Sequence, residues 1–102
     1  MVNLLKETLE LMVEYELSPE QVIYVGDRES ACSWEQFTQI ANVSYDNGYG
    51  GHEILPALII VFDNGMEFYR GEYDGSEWWN VHIPFNAKNL PPQKLLTNIK
   101  VY

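Results

Sequence analysis

The chain has 102 residues, a formal net charge of −9 and one cysteine. That gives room for one hydrophobic core and excludes an internal disulfide or a four-ligand zinc set of cysteines and histidines. A 46% hydrophobic and 14% aromatic content excludes an acidic disordered chain.

The other exclusions come from the distribution along the chain. No apolar run approaches the ~20 residues of a membrane span, and the acids within MVNLLKETLE argue against a signal peptide. Residues 1–77 hold all fifteen acids against three bases, a net charge of −12, whereas residues 78–102 carry three lysines and no acid. Such a body excludes direct contact with DNA, RNA or anionic membrane through most of its surface, because phosphate contacts need Lys and Arg. It favours a partner with a basic surface, or solubility alone. A cytoplasmic location fits these features.

Residues 2–15 read as a helix. At 100° per residue, Val2, Leu5, Leu9, Met12 and Val13 share a sector, with Leu4, Leu11 and Tyr15 beside it. The apolar arc is about 200° wide and should cover a sheet. Glu7, Glu10 and Glu14 gather on the opposite side, either as a solvated face or as an acidic contact surface. Glu16 would fall in the apolar sector, so the helix should end before it, and Ser18-Pro19 is a turn signal.

Residues 22–25, in the β-branched run QVIYV, predict a strand. Ser33-Trp34-Glu35-Gln36 matches a capping box and opens a second helix over 34–41, with Trp34, Phe37, Ile40 and Ala41 towards the core. Cys32 lacks a neighbouring base and reads as a small packing residue. The stretch NVSYDNGYGGHEIL is irregular; it lacks the lysine of a phosphate-binding loop and leads into a strand. Tyr45 and Tyr49 in it either present an aromatic contact or pack over the sheet.

Residues 57–62, 66–72 and 77–83 predict three further antiparallel strands, joined by turns at Asn64-Gly65 and Asp74-Gly75. Both dipeptides suit a two-residue type I′ turn. Counting outward pairs Val61 with Phe68, Ile60 with Tyr69, Phe68 with Val81 and Arg70 with Trp79. Alternation then sorts Ile59, Val61, Met66, Phe68, Trp79, Val81 and Ile83 onto a core face. Leu58, Ile60, Phe62, Glu67, Tyr69, Trp78, Asn80 and His82 fall on a mixed aromatic and polar face. Arg70 can make a cation–π contact with Trp79 at the rim. The same register opposes Glu72 and Glu77, a repulsive pair, which argues for a wider second loop.

The expected fold is a single α+β domain over 1–102. It is an antiparallel meander of about four strands packed with two helices, followed by an extended, lysine-bearing tail over 84–102. A turn of helix is expected at 93–98, and the tail lysines could dock on the acidic body.

Catalytic chemistry finds little support. His52 and His82 could join Glu53, Glu67 or Asp46 as metal ligands or acid–base pairs, with Glu67 and His82 best placed across strands. Carboxylate pairs drawn from Glu67, Glu72 and Glu77 lack room for a sugar cleft. No nucleophile elbow or oxyanion motif surrounds a Ser or Cys. The expectation is a protein that is not an enzyme and holds no cofactor or metal.

Three segments, SWEQFTQIA, YDNGYGGHEI and VFDNGMEFYRGEYDGSEWW, resemble small proteins of phages, prophages and other mobile elements of Gram-positive bacteria. In that group a W-E-x-F helix, a Y-D-x-G-Y-G-x-x-E-I loop and an E-Y-D-G-S-E-W-W hairpin recur in this order. The resemblance spans roughly Ser33 to Trp79 and brings no activity and no site residues. It implies a context in which small acidic proteins are often inhibitors of host defence, including anti-CRISPR proteins that occupy a nuclease's DNA-binding surface.

Carboxylates on a rigid fold can stand in for phosphates and steer onto a Lys/Arg groove. The candidate partner-binding residues are Glu72, Asp74 and Glu77 at the hairpin tip, with Trp78 as aromatic anchor, followed by Glu7, Glu10 and Glu14. An alternative is a phage structural or assembly protein, or a homo-oligomer, pairing through the Tyr69/Trp78 face. A weaker one is a small metal-assisted hydrolase using His82 and Glu67.

Overall fold

The computed structural model describes residues 1–48, 53–84, 92 and 94–100. Among these, β1 (Val2–Asn3) leads into α1 (Leu4–Glu14), and a 3₁₀ turn (Pro19–Gln21) precedes β2 (Val22–Gly26) and β3 (Ala31–Cys32). Next come α2 (Trp34–Ile40), β4 (Ser44–Tyr45), β5 (Ile59–Phe62), β6 (Glu67–Tyr73) and β7 (Ser76–His82). The main sheet has the order β3-β2-β5-β6-β7, and β1 pairs with β4 in a two-stranded sheet. Every pairing is antiparallel. The α+β class, both helices and the four expected strands are therefore present, with three two-residue strands added.

The two turns of the meander differ, and the difference decides which side chains form the core. At the second, Asp74 (φ 51°) and Gly75 (φ 87°) are both left-handed, as a type I′ turn requires. Every expected pair from Tyr73↔Ser76 to Glu67↔His82 is in register. The loop is not widened by the Glu72↔Glu77 pair, contrary to expectation.

At the first turn, Phe62 N donates to Met66 O (2.9 Å) and Gly65 N to Phe62 O (3.0 Å), so the loop is Asp63-Asn64-Gly65. This is the three-residue hairpin loop that ends in a left-handed glycine bulge; Gly65 has φ 89°. The partners become Ile60↔Phe68, Ile59↔Tyr69 and Val61↔Glu67. A one-residue slip exchanges the faces of a strand. Ile60 and Phe62 are thus fully buried, whereas Ile59 and Val61, expected in the core, are half-buried on the outer face. Ile83, also expected in the core, is exposed.

The core is an aromatic row between the sheet and α1. Phe68 stacks edge-on to Phe62 (4.8 Å between centroids) and lies 6.1 Å from Trp79 and 6.5 Å from Tyr15. On the sheet's flank, α2 starts at Ser33, whose side chain accepts from Gln36 N while Gln36 Oε1 accepts from Ser33 N. This is the expected capping box. Phe37 and Ala41 are buried, and Trp34 packs on Phe37, but Ile40 points to solvent. Of the helical turn expected at 93–98, residues 94–98 have no regular structure and residue 93 lies outside the described residues. The readings on Tyr49 and His52 lie outside the described residues.

α1 is rotated from the expected orientation. Its fully buried line is Leu4, Thr8 and Met12, and Leu9 and Val13 face solvent, Val13 with 77% of its surface exposed. The helix stops at a paired cap: Leu17 N donates to Met12 O (2.8 Å) and Glu16 N to Val13 O (3.1 Å), with Leu17 and Met12 both buried. That is a Schellman motif, and its left-handed position is taken by Glu16 (φ 57°) instead of the preferred glycine. Removing the Cβ there relieves the strain. The left-handed penalty of about 1–2 kcal/mol, less the entropic cost of a glycine, about 0.5–1 kcal/mol, leaves Glu16→Gly more stable by about 0.5–1 kcal/mol, read as a higher urea midpoint at unchanged slope.

Candidate functional site

The site is built on a buried ionic network that ties α1, the loop before β5 and the last two strands together. Arg70 lies on the inner face of β6 with its side chain fully buried. Its Nη2 donates to Tyr45 Oη (2.8 Å), and Tyr45 donates in turn to Glu7 Oε1 (2.7 Å). The guanidinium is 3.6 Å from the carboxylates of both Glu7 and Glu77. Its plane sits over the Trp79 ring at 4.8 Å and near Tyr45 at 5.5 Å. The expected Arg70–Trp79 contact thus exists, but in the interior and not at the rim.

Glu77 faces the same interior. It is 2% exposed and accepts from Glu53 N (2.7 Å) and Ile54 N (3.1 Å). These charge-assisted bonds and Arg70 offset the cost of burying a carboxylate, and they explain how Glu72 and Glu77 tolerate direct opposition. Glu77 is therefore not a tip residue available to a partner, which corrects its assignment to the contact surface. At the other end of the network, Trp79 Nε1 donates to Thr8 Oγ1 (3.0 Å), and Thr8 donates to Leu4 O (2.7 Å). That bond fixes the rotation of α1 on the sheet.

The rotation has a consequence at the surface. Glu7, Glu10 and Glu14 do not face away from the sheet; they run along the seam between α1 and β7. Together with Leu11, Trp78 and Trp79 they line a shallow depression of about 250 Å³. Glu10 and Glu14 are exposed, and Glu7 is half-buried by its bond to Tyr45. Trp78 lies across Gly71, where a Cβ would come within 2.7 Å of its Nε1. The indole donates to Asn80 Oδ1 (3.0 Å) and keeps 38% of its surface exposed.

Of the residues singled out in the sequence, Glu7, Glu10, Glu14 and Trp78 are brought together. Glu72 and Asp74 are exposed at the hairpin tip. Tyr69 is 45% exposed on the outer face near Trp78. Glu67 and His82 are a cross-strand pair on that face, and among the described residues no three His, Cys, Asp or Glu side chains converge as a metal-binding group. Among the described residues no helix is long and apolar enough to cross a membrane.

Sequence reasoning missed Thr8 and left Tyr45 open. Thr8 had a signal, since it falls inside the apolar arc of α1. Tyr45 had none, because its partners lie 38 and 25 residues away. No protein-family model, curated protein or solved structure matches the chain.

Burial, reinforced by the Glu7 carboxylate and opposed by Arg70, pushes the Tyr45 phenol from its usual value of 10.0 up to about 12. The folded state thus holds the phenolic proton more tightly than the unfolded chain. The associated stability is complete below pH 10, the unfolded value, and is lost as pH rises through about 12. Tyr45→Phe should cost about 1–3 kcal/mol at neutral pH by stranding its partners. Urea unfolding should show that deficit shrinking across the same alkaline window, and a pH-independent deficit would contradict the assignment.

Proposed function

We propose that the chain is a non-enzymatic acidic binding protein that docks on a cationic, nucleic-acid-binding surface of a partner protein and blocks it. The resemblance to mobile-element proteins makes the partner a host-defence component, of which a CRISPR nuclease is the leading example. One observation carries the reading. Glu7, Glu10, Glu14 and the exposed Trp78 share one seam, and both elements of that seam are held rigid by the Arg70 network. Carboxylates fixed on a helix need little ordering on binding, and an aromatic beside them adds the kind of anchor that dominates interface energetics.

Charge distribution supports the same reading. Of the three bases in residues 1–77, Arg70 faces inward, which leaves Lys6 and Arg28 against the acidic surface. The resulting field favours fast, salt-sensitive association with Lys/Arg grooves and disfavours nucleic acid itself. Glu72 and Asp74 at the hairpin tip form a second acidic cluster.

A second reading is favoured by the outer sheet face, where Tyr69, Tyr73 and Trp78 are all exposed. On that reading the protein is a structural or assembly component that pairs through aromatic contacts, either with itself or with another chain.

The test is capture from a Gram-positive host lysate on the tagged chain, with washes at low and high salt and competition by duplex DNA. A nucleic-acid enzyme should be retained at low salt, released by high salt or DNA, and bound about tenfold more weakly by Glu10→Gln/Glu14→Gln. Capture that survives neutralisation of both the seam and Glu72/Asp74 would refute the proposal. A salt-resistant partner lost on Trp78→Ala or Tyr69→Ala would establish the second reading instead.

A further inference from the structure

Apart from the acidic seam, with which it shares no lining residue, the flank of the sheet carries an open apolar groove of about 380 Å³. Ala31 and Cys32 of β3 form one wall, Phe37 and Ile40 of α2 the second, and Leu55 and Leu58 of the loop before β5 the third. Ile40 and Leu55 stand largely exposed on its rim. The tail holds the complementary surface. Leu95, Leu96 and Ile99 are 74–86% exposed, and Lys94 and Lys100 bracket them in sequence. An apolar groove unfilled and an apolar segment uncovered among the described residues of one small chain are both surfaces that soluble proteins normally cover.

We infer that the groove receives the 94–100 segment of a second copy of this chain, so that two copies exchange tails about a two-fold axis. Three observations select this occupant. The segment is apolar where the groove is apolar. It is basic where the body is acidic, with Glu53 on the groove wall and Glu29 beside Ser30 in the turn that closes it. The chain's own 94–100 segment does not lie in its own groove, because Leu95, Leu96 and Ile99 remain exposed.

The geometry permits the exchange. Pro84 packs beside Gly65, beyond the end of β5 opposite Leu58. Eleven peptide units separate Pro84 from Leu95, a reach of at most about 35–40 Å. Reciprocal exchange makes a closed, isologous dimer in which each groove and each tail is satisfied.

Cys32, the sole cysteine, lines the groove and serves as a built-in reporter. The full chain carrying Leu96→Cys is oxidised with glutathione disulfide and examined by non-reducing electrophoresis and peptide mass mapping. The expected product is a covalent dimer joined between the introduced thiol of one chain and Cys32 of another, and it should be lost when Ile40→Lys is added on the rim. A bond to Cys32 within one chain would overturn the exchange, and a failure to bond to Cys32 at all would overturn the groove as the docking site. Independently, sedimentation of the unmodified chain should show a dimer forming as concentration rises, with Leu95→Asp/Leu96→Asp monomeric at the same concentrations. A parent chain that stays monomeric throughout would also overturn the inference.

Discussion

A buried guanidinium sets the terms for this fold. Arg70 cannot be desolvated without opposite charges and an acceptor around it, and these come from separate parts of the chain: the carboxylates of Glu7 on α1 and Glu77 on β7, each 3.6 Å away, and the hydrogen-bonded Tyr45 on β4. Trp79 supplies an aromatic face as well. A helix, a loop and the last two strands must therefore reach their final places together. The gain is geometric. Hydrophobic burial alone would let α1 slide or roll on an aromatic row, whereas a charge that must meet fixed partners permits one arrangement. Extending the network through Trp79 and Thr8 defines the roll of the helix about its axis.

The surface follows from that interior. Once Arg70 and Glu77 have turned inward, the two charges cancel out of sight, and the remaining acids dominate what a partner meets. The roll imposed by Thr8 brings Glu7, Glu10 and Glu14 to the β7 side, at the edge formed by Trp78 and Trp79, where the Trp78 indole turns onto the outer face over Gly71. Had Leu9 and Val13 been the buried line, the same glutamates would have faced open solvent away from any aromatic group. The placement of the seam thus depends on a hydrogen bond between a threonine and a tryptophan 71 residues apart.

How much of this was legible in the sequence depends on the range of the interaction that decides it. The Asp74-Gly75 turn and the capping box at Ser33 depend on neighbours and were readable; the β6–β7 register also follows from counting outward from that turn, but the opposed Glu72 and Glu77 argued for a wider loop that is not there. The Asn64-Gly65 turn was visible as a turn, yet its loop length was not. Asn-Gly accommodates both the two-residue and the bulged three-residue loop, and the choice is made by which face of β5 packs better. Ile60 and Phe62 against Phe68 won over Ile59 and Val61. Glu77 was misplaced for a related reason. A glutamate beside a turn is ordinarily exposed, and only the amides of Glu53 and Ile54, brought in by the long loop, make its interior position tenable.

The seam and the apolar groove share no lining residue; α1 contributes Glu7, Glu10, Leu11 and Glu14 to the seam and only Leu4 to the groove, which is otherwise built from α2, β3, the end of β2 and the loops around them. Their separation bears on how an acidic protein with a basic tail can keep its acidic surface available. A lysine-bearing segment is the natural intramolecular competitor for Glu7, Glu10 and Glu14, and electrostatics alone would draw it there. Apolar residues between Lys94 and Lys100 change the balance. Coulomb attraction between exposed charges is weak and screened by salt, while burying leucine and isoleucine side chains contributes about 1.5–3 kcal/mol each. The groove is therefore the stronger attractor for the tail, and a tail seated there as proposed above leaves the acidic seam uncovered.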